Sequence, residues 1–295
     1  MKILAVNNKN ENIRRKSSSG GVFYELARYV IEQGGLVIGV AYGETVCDVV
    51  YMAVDSMEKL HKLQKAKYAP AKMNVSIIED ALLMADKRWI LFSGTPCHVM
   101  AVKKKYGYLS KLILVEIACH GVPTLESYSR FIQEHDIVQV DFRCKRNGWK
   151  DSEIEMRHSD GSVSYIKSFD LPFYQDYIKG NNLRSSCFVC PAKQFKSRAD
   201  FTLGDFWGVD VFLPELYDNK GTSVVFLHTN KACRLWRMIG NQFHTKRISF
   251  FEAVRHNPCI YRAVGSEVTE KERQEEKIFI IKSYIKRALH KFSLI

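Results

Sequence analysis

The apolar positions of this chain follow two kinds of pattern, and together they predict an α/β fold. Short continuous apolar runs, such as MKILAV at the start and LVIGVAY at 36–42, are typical of buried strands. In residues 22–32 the apolar side chains instead recur every third or fourth position, as on one face of an amphipathic helix. Ser19 is a candidate N-cap for this helix, and Gly34-Gly35 is a stop signal.

A strand–turn–helix unit occurs twice in succession, which predicts two neighbouring parallel strands. The first unit is RWILFSGTPCHVMAVKKKYG, with a helix that begins near Cys97. The second is KLILVEIACHGVPTLESYSRFIQEH, with a turn at Cys119. We expect IVQVDFRCK at 137–145 to add a third strand to this sheet, and TSVVFLHT at 222–229 to form another strand. Residues 151–168 have the pattern of a hairpin.

The predicted fold class is therefore α/β, with a mixed and largely parallel sheet, flanking helices and a ligand crevice at the carboxyl ends of the strands. We predict one folded unit over residues 1–265 and a basic amphipathic helix over residues 266–295. We expect this C-terminal helix to pack on the body of the protein. Pairing with a partner protein and contact with an anionic membrane surface are the alternatives.

Composition and the absence of an export signal indicate an ordered cytoplasmic protein. The 295 residues are 46% hydrophobic, enough for a sizeable core, and no low-complexity run occurs. The N-terminus turns polar after six residues, unlike a signal peptide, and the longest apolar runs are too short to span a bilayer. In a reducing compartment we expect the eight cysteines to be thiols, metal ligands or catalytic groups rather than disulfides.

The chain is basic, with a formal net charge of +12, and this charge bears on its partners. A basic balance suits nucleic acid, an anionic membrane surface, an anionic ligand or an acidic protein. The Lys and Arg residues are spread along the whole chain, and no zinc-finger or RNA-binding signature accompanies them. We therefore expect no nucleic-acid partner.

Four cysteines have the placement of metal ligands. Cys187 and Cys190 are separated by two residues, a spacing that lets two thiolates bind one metal centre. Cys97 and Cys119 each follow a predicted strand at the start of a helix, where the helix N-terminus favours a thiolate. If these strands are neighbours, they lie about 4.8 Å apart. Four thiolates are the usual set for a 4Fe–4S cluster or a structural zinc, and spacing alone does not choose between them.

Other uses of these residues stay open at this point. His98 and His120 each follow one of the four cysteines, so a mixed Cys/His zinc site is an alternative. A cysteine at a strand end is also a candidate for a small buried side chain that binds nothing. The remaining cysteines lack ligand spacing and are predicted to be buried or surface thiols; they are Cys47, Cys144, Cys233 and Cys259.

Three further segments have the composition of a cofactor site. A Ser-Gly-Gly turn stands at a predicted helix N-terminus, where amides and hydroxyls suit a phosphate or a flavin edge. A Lys-Tyr pair before Ala-Pro, and a cationic strand end, suit an anionic cofactor tail. An ordinary helix cap and exposed basic turns are the alternatives. The candidate cofactor-binding residues are Ser18, Ser19, Gly20, Gly21, Lys67, Tyr68, Arg143 and Lys145. We expect a structural role for Phe206 and Trp207 in LGDFWG.

Six motifs in a fixed order carry a resemblance to a known family. They are SSSGGVF, KAKYAPA, LFSGTPCHVMAV, ACHGVP, FRCKRNGW and SSCFVCPAKQFKSRADFTLGDFWG, within residues 5–260. The chain resembles the beta-subunit family of the coenzyme F420 hydrogenases and dehydrogenases. That family also includes flavin- and iron–sulfur-dependent reductases, and members from bacterial surface-polysaccharide gene clusters. The resemblance divides the folded unit into an N-terminal part over about 1–90 and a C-terminal part over about 91–265.

The resemblance implies an iron–sulfur flavoprotein oxidoreductase. It implies FAD and a 4Fe–4S cluster whose ligands are Cys97, Cys119, Cys187 and Cys190, with electrons passing between the two groups and an unidentified small-molecule substrate. Many relatives begin with a ferredoxin-like segment of closely spaced cysteines. Here the first cysteine is Cys47, so we expect a separate ferredoxin-like electron donor. The alternatives are a zinc-stapled binding module and a degenerate family member associated with surface-polysaccharide biosynthesis.

Overall fold

A computed structural model describes residues 1–73, 75–84 and 87–266 of the chain, and these residues form strands and helices in alternation. The strands are β1 (Lys2–Asn8), β2 (Leu36–Tyr42), β3 (Val49–Val54), β4 (Ile90–Gly94), β5 (Leu112–Ile117), β6 (Ile137–Cys144), β7 (Glu153–His158), β8 (Val163–Lys167), β9 (Phe201–Asp205), β10 (Ser223–Leu227) and β11 (Phe243–Arg247). The helices are α1 (Glu11–Lys16), α2 (Val22–Glu32), α3 (Met57–Leu60), α4 (Val75–Leu83), α5 (Pro96–Tyr106), α6 (Leu125–Glu134), α7 (Pro172–Lys179), α8 (Val209–Phe212), α9 (Asn230–Ile239) and α10 (Phe250–Arg255).

Eight strands form one mixed sheet in the order β11-β1-β10-β9-β5-β4-β2-β3. Strands β2, β4, β5 and β9 run parallel to one another and form a continuous block. Antiparallel pairs complete the sheet on both sides of this block. The predicted α/β class, the mixed sheet and the parallel pairing of the two strand–turn–helix units are confirmed.

The parallel strands are apolar on both faces because helices cover both faces of the sheet. On β4, Ile90 and Phe92 pack with the apolar side chains of α4 and α5. Leu91, between them, points to the other face and packs with α2. All five residues of β4 are buried, which explains its continuous apolar run. The predicted hairpin of β7 and β8 is also present.

The expectation that IVQVDFRCK joins the parallel sheet is wrong. Strand β6 instead pairs antiparallel with β7, in a separate three-stranded sheet of order β6-β7-β8. Its inward side chains, such as Val140 and Phe142, share a core with Phe131 of α6 and Phe173 of α7. An apolar run shows that a strand has a buried face, but it does not show which sheet the strand joins.

The start of α2 differs from the sequence prediction. Helix α2 begins at Val22 with Gly21 as its N-cap, at a left-handed φ of 89°, so Ser19 is not the cap.

The predicted C-terminal helix lies outside the described residues, which end at Ser266, and it stays a prediction. No helix in the described part of the chain is long and apolar enough to cross a membrane.

Candidate metal and cofactor site

The carboxyl ends of β4 and β5 bring two of the predicted ligands to one edge of the sheet. Gly94 at the end of β4 pairs in register with Glu116 of β5, so the turns that follow start side by side. Cys97 lies in the first turn of α5, and its sulfur is 3.3 Å from the Thr95 hydroxyl. Cys119 follows β5 directly, and its thiol faces the Gly121 carbonyl at 3.7 Å. The predicted position of both cysteines at one edge of the sheet therefore agrees with the topology. The prediction that Cys119 starts a helix is wrong, because α6 begins only at Leu125, after a loop.

The turn after β4 depends on a glycine. A side chain at Gly94 would place its Cβ 2.4 Å from the hydroxyl of Tyr51. That hydroxyl is hydrogen-bonded to Nδ1 of His98 at 2.8 Å. Tyr51 thus supports the first turn of α5 through His98, and only a glycine at position 94 leaves room for the Tyr51 hydroxyl.

The Cys-x-x-C segment reaches the same edge from a distant part of the chain. A single turn of 3-10 helix, Ser185–Cys187, brings Cys187 against the segment after β5. There the backbone N–H of Val122 donates a hydrogen bond of 3.3 Å to the Cys187 sulfur. This bond joins the C-x-x-C to the turn that carries Cys119.

Electrostatic interactions show which thiols lie near one another. Burial raises the pKa of the Cys119 thiol to about 12. The Lys193 ammonium opposes this rise in pKa, whereas the neighbouring thiols of Cys259, Cys97 and Cys187 add to it. Two of the other three predicted ligands, Cys97 and Cys187, are therefore within electrostatic reach of Cys119. Among the described residues, however, no three His, Cys, Asp or Glu side chains are close enough together to hold a metal ion.

The residues nonetheless have the chemistry of a thiolate-bound centre. Thiols come from three separate segments, and hydroxyl and amide groups are placed to bond to the sulfurs of Cys97 and Cys187. Such N–H···S and O–H···S contacts stabilise thiolate sulfur in metal centres. The chemical nature of these groups therefore fits an iron–sulfur cluster or a zinc ion. That the four sulfurs converge on one centre is a prediction.

Sequence reasoning missed two residues at the centre of this site. Lys193 is buried, and its ammonium donates hydrogen bonds to the backbone carbonyls of both Cys119 and Cys259. Burial raises the pKa of the Cys259 thiol to about 11, and this thiol donates to the Asn257 side chain at 2.8 Å. Cys259 has no motif spacing, so no local signal in the sequence identified it.

Aromatic side chains line the other wall of the site. Tyr177 of α7 donates to the Gly121 carbonyl at 3.3 Å and packs against both Tyr68 and His120. His120 is hydrogen-bonded through Nε2 to the carbonyl of Ile178 at 3.1 Å. Burial lowers the pKa of His120, and it also lowers that of His98. The packing around both histidines therefore disfavours their protonated forms.

The Ser-Gly-Gly turn is tied to the neighbouring strand β10. Ser19 donates its hydroxyl to the Thr222 carbonyl at 3.0 Å, and the Gly20 amide donates to the Ser223 hydroxyl at 2.8 Å. A Cβ at Gly20 would lie 2.5 Å from the Val6 carbonyl, so the close approach to β1 requires glycine. Ser18, which precedes them in the turn, is half-buried. The turn is therefore rigidly positioned before α2.

Lys145 holds this turn in place. Its ammonium donates to the carbonyls of Arg14, Ser19 and Lys220 at 2.8, 2.9 and 2.8 Å. Burial lowers its pKa to about 7. All three donors of the ammonium therefore face backbone carbonyls, and Lys145 joins two segments that the sequence presented as separate candidate sites.

The two remaining predicted residues are Arg143, which is buried, and Lys67, which is half-buried. Arg143 is buried, lies 3.3 Å from the Asp205 carboxylate and stacks over Trp207 at 4.9 Å. Burial lowers the pKa of Lys67 to about 8, and its ammonium donates to the Gln64 carbonyl at 2.6 Å. Trp207 stacks on Trp149 at 4.5 Å, in agreement with the structural role expected for it.

A cavity of about 250 Å³ lies beside the Ser-Gly-Gly turn and Lys145. Cationic side chains dominate its lining, with one acidic residue among them. The lining residues are Arg15, Lys145, Arg146, Gly148, Asp218, Asn219 and Lys220. A cavity of this charge suits an anionic group such as a phosphate.

Comparisons with known proteins agree on one family. The family model for the C-terminal part of the coenzyme F420 hydrogenase/dehydrogenase beta subunit matches residues 87–249. The chain is 23% identical over 232 residues to the coenzyme F420 hydrogenase subunit beta of Methanococcus voltae, covering 76% of this chain and 75% of that protein. A chain from the structure of the F420-reducing [NiFe] hydrogenase complex of Methanosarcina barkeri superposes with a TM-score of 0.59 and 16% identity. That superposition covers 83% of this chain and 81% of the other, and it shows a shared fold.

Proposed function

Because the chain belongs to the coenzyme F420 hydrogenase/dehydrogenase beta-subunit family, we propose that it is an iron–sulfur flavoprotein oxidoreductase. The proposed ligands of a 4Fe–4S cluster are Cys97, Cys119, Cys187 and Cys190. FAD is the proposed second cofactor, and the substrate is an unidentified small molecule. When bound, the cluster and the flavin supply the one- and two-electron chemistry that no side chain supplies.

One observation carries this proposal: three separate segments, each with one of the proposed cysteine ligands, come to the carboxyl edge of the parallel strands. Cys97 follows β4, Cys119 follows β5, and Cys187 is attached to the same turn through the Val122 amide. Ligands bind at this edge in open α/β sheets. A purely structural role would not require thiols to gather there from positions up to 90 residues apart.

The protein's own residues would prepare this site for an anionic centre. Buried Lys193 supplies a positive charge next to Cys119, which offsets the charge of several thiolates. Thr95 and Val122 direct O–H and N–H groups at two of the sulfurs. Tyr68 and Tyr177 keep water from the side facing the small sheet. Each of these features lowers the free energy of a charged cluster in a partly buried site.

For the flavin, the cationic cavity and the Ser-Gly-Gly turn support the proposal. The turn is fixed by Lys145, and Arg15 and Lys220 line the adjacent cavity. A pyrophosphate is the part of FAD that such a lining attracts. All three N–H donors of Lys145 are hydrogen-bonded to carbonyls, so we assign Lys145 the role of positioning the turn. The residues that would contact the phosphates directly are then the other cations of the lining, such as Arg15 and Lys220.

An acidic ferredoxin-like protein is the proposed electron donor, and the cytoplasm is the proposed location. The support for such a donor is the net charge of +12, which attracts an acidic protein and speeds the encounter. The proposed donor is tested by mixing the purified protein with a reduced carrier, and the proposed location by fractionation of cells that produce the protein.

Anaerobic purification tests the cofactors directly. We expect broad iron–sulfur absorbance in the visible range, acid-labile sulfide and bound flavin in the same preparation. Stoichiometric zinc without iron would overturn the proposal and identify a zinc-stapled binding module. Protein that contains neither metal nor flavin after anaerobic isolation would instead identify a degenerate family member.

A further inference from the structure

We infer that the loop between Cys187 and Cys190, with the end of α7, is the docking surface for an acidic one-electron carrier protein. We call this surface the docking face; it consists of Ile178, Lys179, Arg184, Phe188 and Val189. The inference rests on the proposed function, because only a redox centre at the cysteines would require such a partner.

The centre of the docking face is apolar and exposed. Val189 is 80% exposed, Phe188 is 40% exposed and Ile178 is 39% exposed. The Phe188 ring packs beside Gly180, where an added Cβ would lie 3.2 Å from the ring, so the loop rests against the end of α7. Phe188 and Val189 therefore lie beside the end of α7, the helix that carries Ile178. Exposed apolar side chains grouped in this way are typical of interaction sites.

The patch adjoins the C-x-x-C that contains two of the proposed ligands. Phe188 and Val189 are the two residues between the cysteines of the C-x-x-C. The Cys187 sulfur accepts a hydrogen bond from the Val122 amide, and the His120 ring is hydrogen-bonded to the Ile178 carbonyl. A protein that covers Val189 would therefore approach the thiols by a short route. Such proximity is what electron transfer between two bound centres requires.

The charge around the patch is positive. Residues 177–199 contain five Lys or Arg and no Asp or Glu. Lys179 and Arg184 are exposed, and within the described residues neither forms an ion pair with a carboxylate. The acidic residue that precedes this stretch, Asp176, accepts a hydrogen bond from Asn181. A cationic rim around an apolar centre selects an acidic protein partner.

The same charges argue against a second copy of this chain as the occupant. A two-fold contact would bring Lys179 and Arg184 of both copies together, and like charges across an interface are unfavourable. An anionic membrane would also attract these cations. We favour the carrier protein because the apolar patch is small and centred on the C-x-x-C.

The test measures binding of an oxidised, acidic two-cluster ferredoxin by calorimetry. A second readout is the stopped-flow rate at which the reduced form of the same ferredoxin reduces the bound flavin. We expect binding to weaken as salt rises from about 0.1 M to about 1 M, since the Debye length falls from about 10 Å to about 3 Å. The Lys179→Glu/Arg184→Glu double variant should weaken binding about tenfold or more at low salt, and so should Val189→Asp.

Helix α9 offers matched controls, because it follows β10 and starts at the opposite edge of the sheet. Arg234→Glu/Arg237→Glu makes the same change in charge there, and Met238→Asp places a carboxylate on another exposed apolar position. We expect both controls to bind ferredoxin within about twofold of the wild type. Equal effects in the two sets would show a general charge effect and overturn the docking face.

Two further outcomes overturn the inference. The first is a wild-type protein, loaded with iron and flavin, that binds no ferredoxin. The second is binding to phosphatidylserine-containing vesicles that Val189→Asp abolishes while ferredoxin binding persists, which would assign the surface to a membrane. Iron and flavin are assayed on every preparation, so failure of the proposed function is recognised separately, as protein that lacks both cofactors.

Discussion

The backbone N–H of Val122 donates a hydrogen bond of 3.3 Å to the sulfur of Cys187, which lies 65 residues further along the chain. This bond fixes the C-x-x-C segment to the turn after β5, where Cys119 begins the next loop. Amide-to-sulfur bonds of this kind stabilise the charged thiolate over the neutral thiol. The relationship therefore connects the two parts of the chain on which the proposed cluster depends.

The Cys187→Ser variant should lose the cluster. Loss of even an outer-shell partner typically lowers metal affinity by about tenfold, so removal of a ligand should lower the iron content by at least that much. Iron and sulfide assays after anaerobic purification measure the effect, and Cys97→Ser should behave in the same way. Cys233→Ser on α9 is the control and should retain wild-type iron. Full iron in Cys97→Ser would remove Cys97 from the ligand set.

A second pair of variants tests whether Cys190 or Cys259 is the fourth ligand of the proposed cluster. The proposal assigns this position to Cys190, while Cys259 is the thiol that interacts with Cys119 across Lys193. We expect Cys190→Ser to lose iron by about tenfold or more and Cys259→Ser to retain it. The reverse result would replace Cys190 by Cys259 in the site.

Gly94→Ala should destabilise the turn that carries Cys97. Its Cβ would lie 2.4 Å from the Tyr51 hydroxyl, so either the tyrosine or the turn must move, at a cost of about 1–3 kcal/mol in the free energy of unfolding. Urea unfolding measures this cost. Gly39→Ala is the matched strand control, because its Cβ would meet Leu63 at an ordinary 3.4 Å.

The clash itself is testable with a second substitution. Tyr51→Phe removes the hydroxyl that Gly94→Ala would meet, so the double variant should regain part of the stability lost by Gly94→Ala. Strict additivity of the two single effects would show that the hydroxyl is not the obstacle.

Lys145→Met should loosen the Ser-Gly-Gly turn. Three buried carbonyls would lose their donor, and we expect a loss of roughly 3 kcal/mol in the free energy of unfolding. The amount of bound flavin should fall in parallel, because one of the three carbonyls belongs to Ser19 in the proposed flavin-binding turn. Lys16→Met, at an exposed position, is the control and should change stability by less than about 0.5 kcal/mol. Unchanged stability in Lys145→Met would contradict the anchoring role.

Acid should weaken the fold through His228. Burial lowers its pKa to about 4, compared with about 6.5 in an unfolded chain. Between these values the unfolded state binds more protons, so stability is fully present above about pH 6.5 and falls as the pH drops toward 4. Within the fold its Nε2 is hydrogen-bonded to Thr202 at 2.7 Å.

The measurement compares wild type with His228→Gln. Between pH 7 and pH 5 the wild type should lose about 2 kcal/mol more free energy of unfolding than the variant. Other histidines titrate equally in both proteins, so the difference isolates His228. Parallel curves for the two proteins would show that His228 is not held neutral by the fold.

The sequence by itself determined most of the local structure. Alternation of apolar runs with helical spacing identified β4, α5, β5 and α6, and the repetition of that unit identified β4 and β5 as parallel neighbours. These features follow from backbone geometry over a few residues, which side-chain periodicity reports directly. The position of Cys97 and Cys119 at one edge followed from the same argument, and the ordered motifs identified the family.

Only the tertiary structure decided how distant segments meet. It assigned β6 to the smaller sheet, brought Lys145 beneath Ser19, and brought Lys193 and Cys259 to the thiols. Each of these contacts joins residues far apart in the chain. Their formation depends on which buried surfaces pack together and which carbonyls still need a donor, and no local pattern of side chains records either condition.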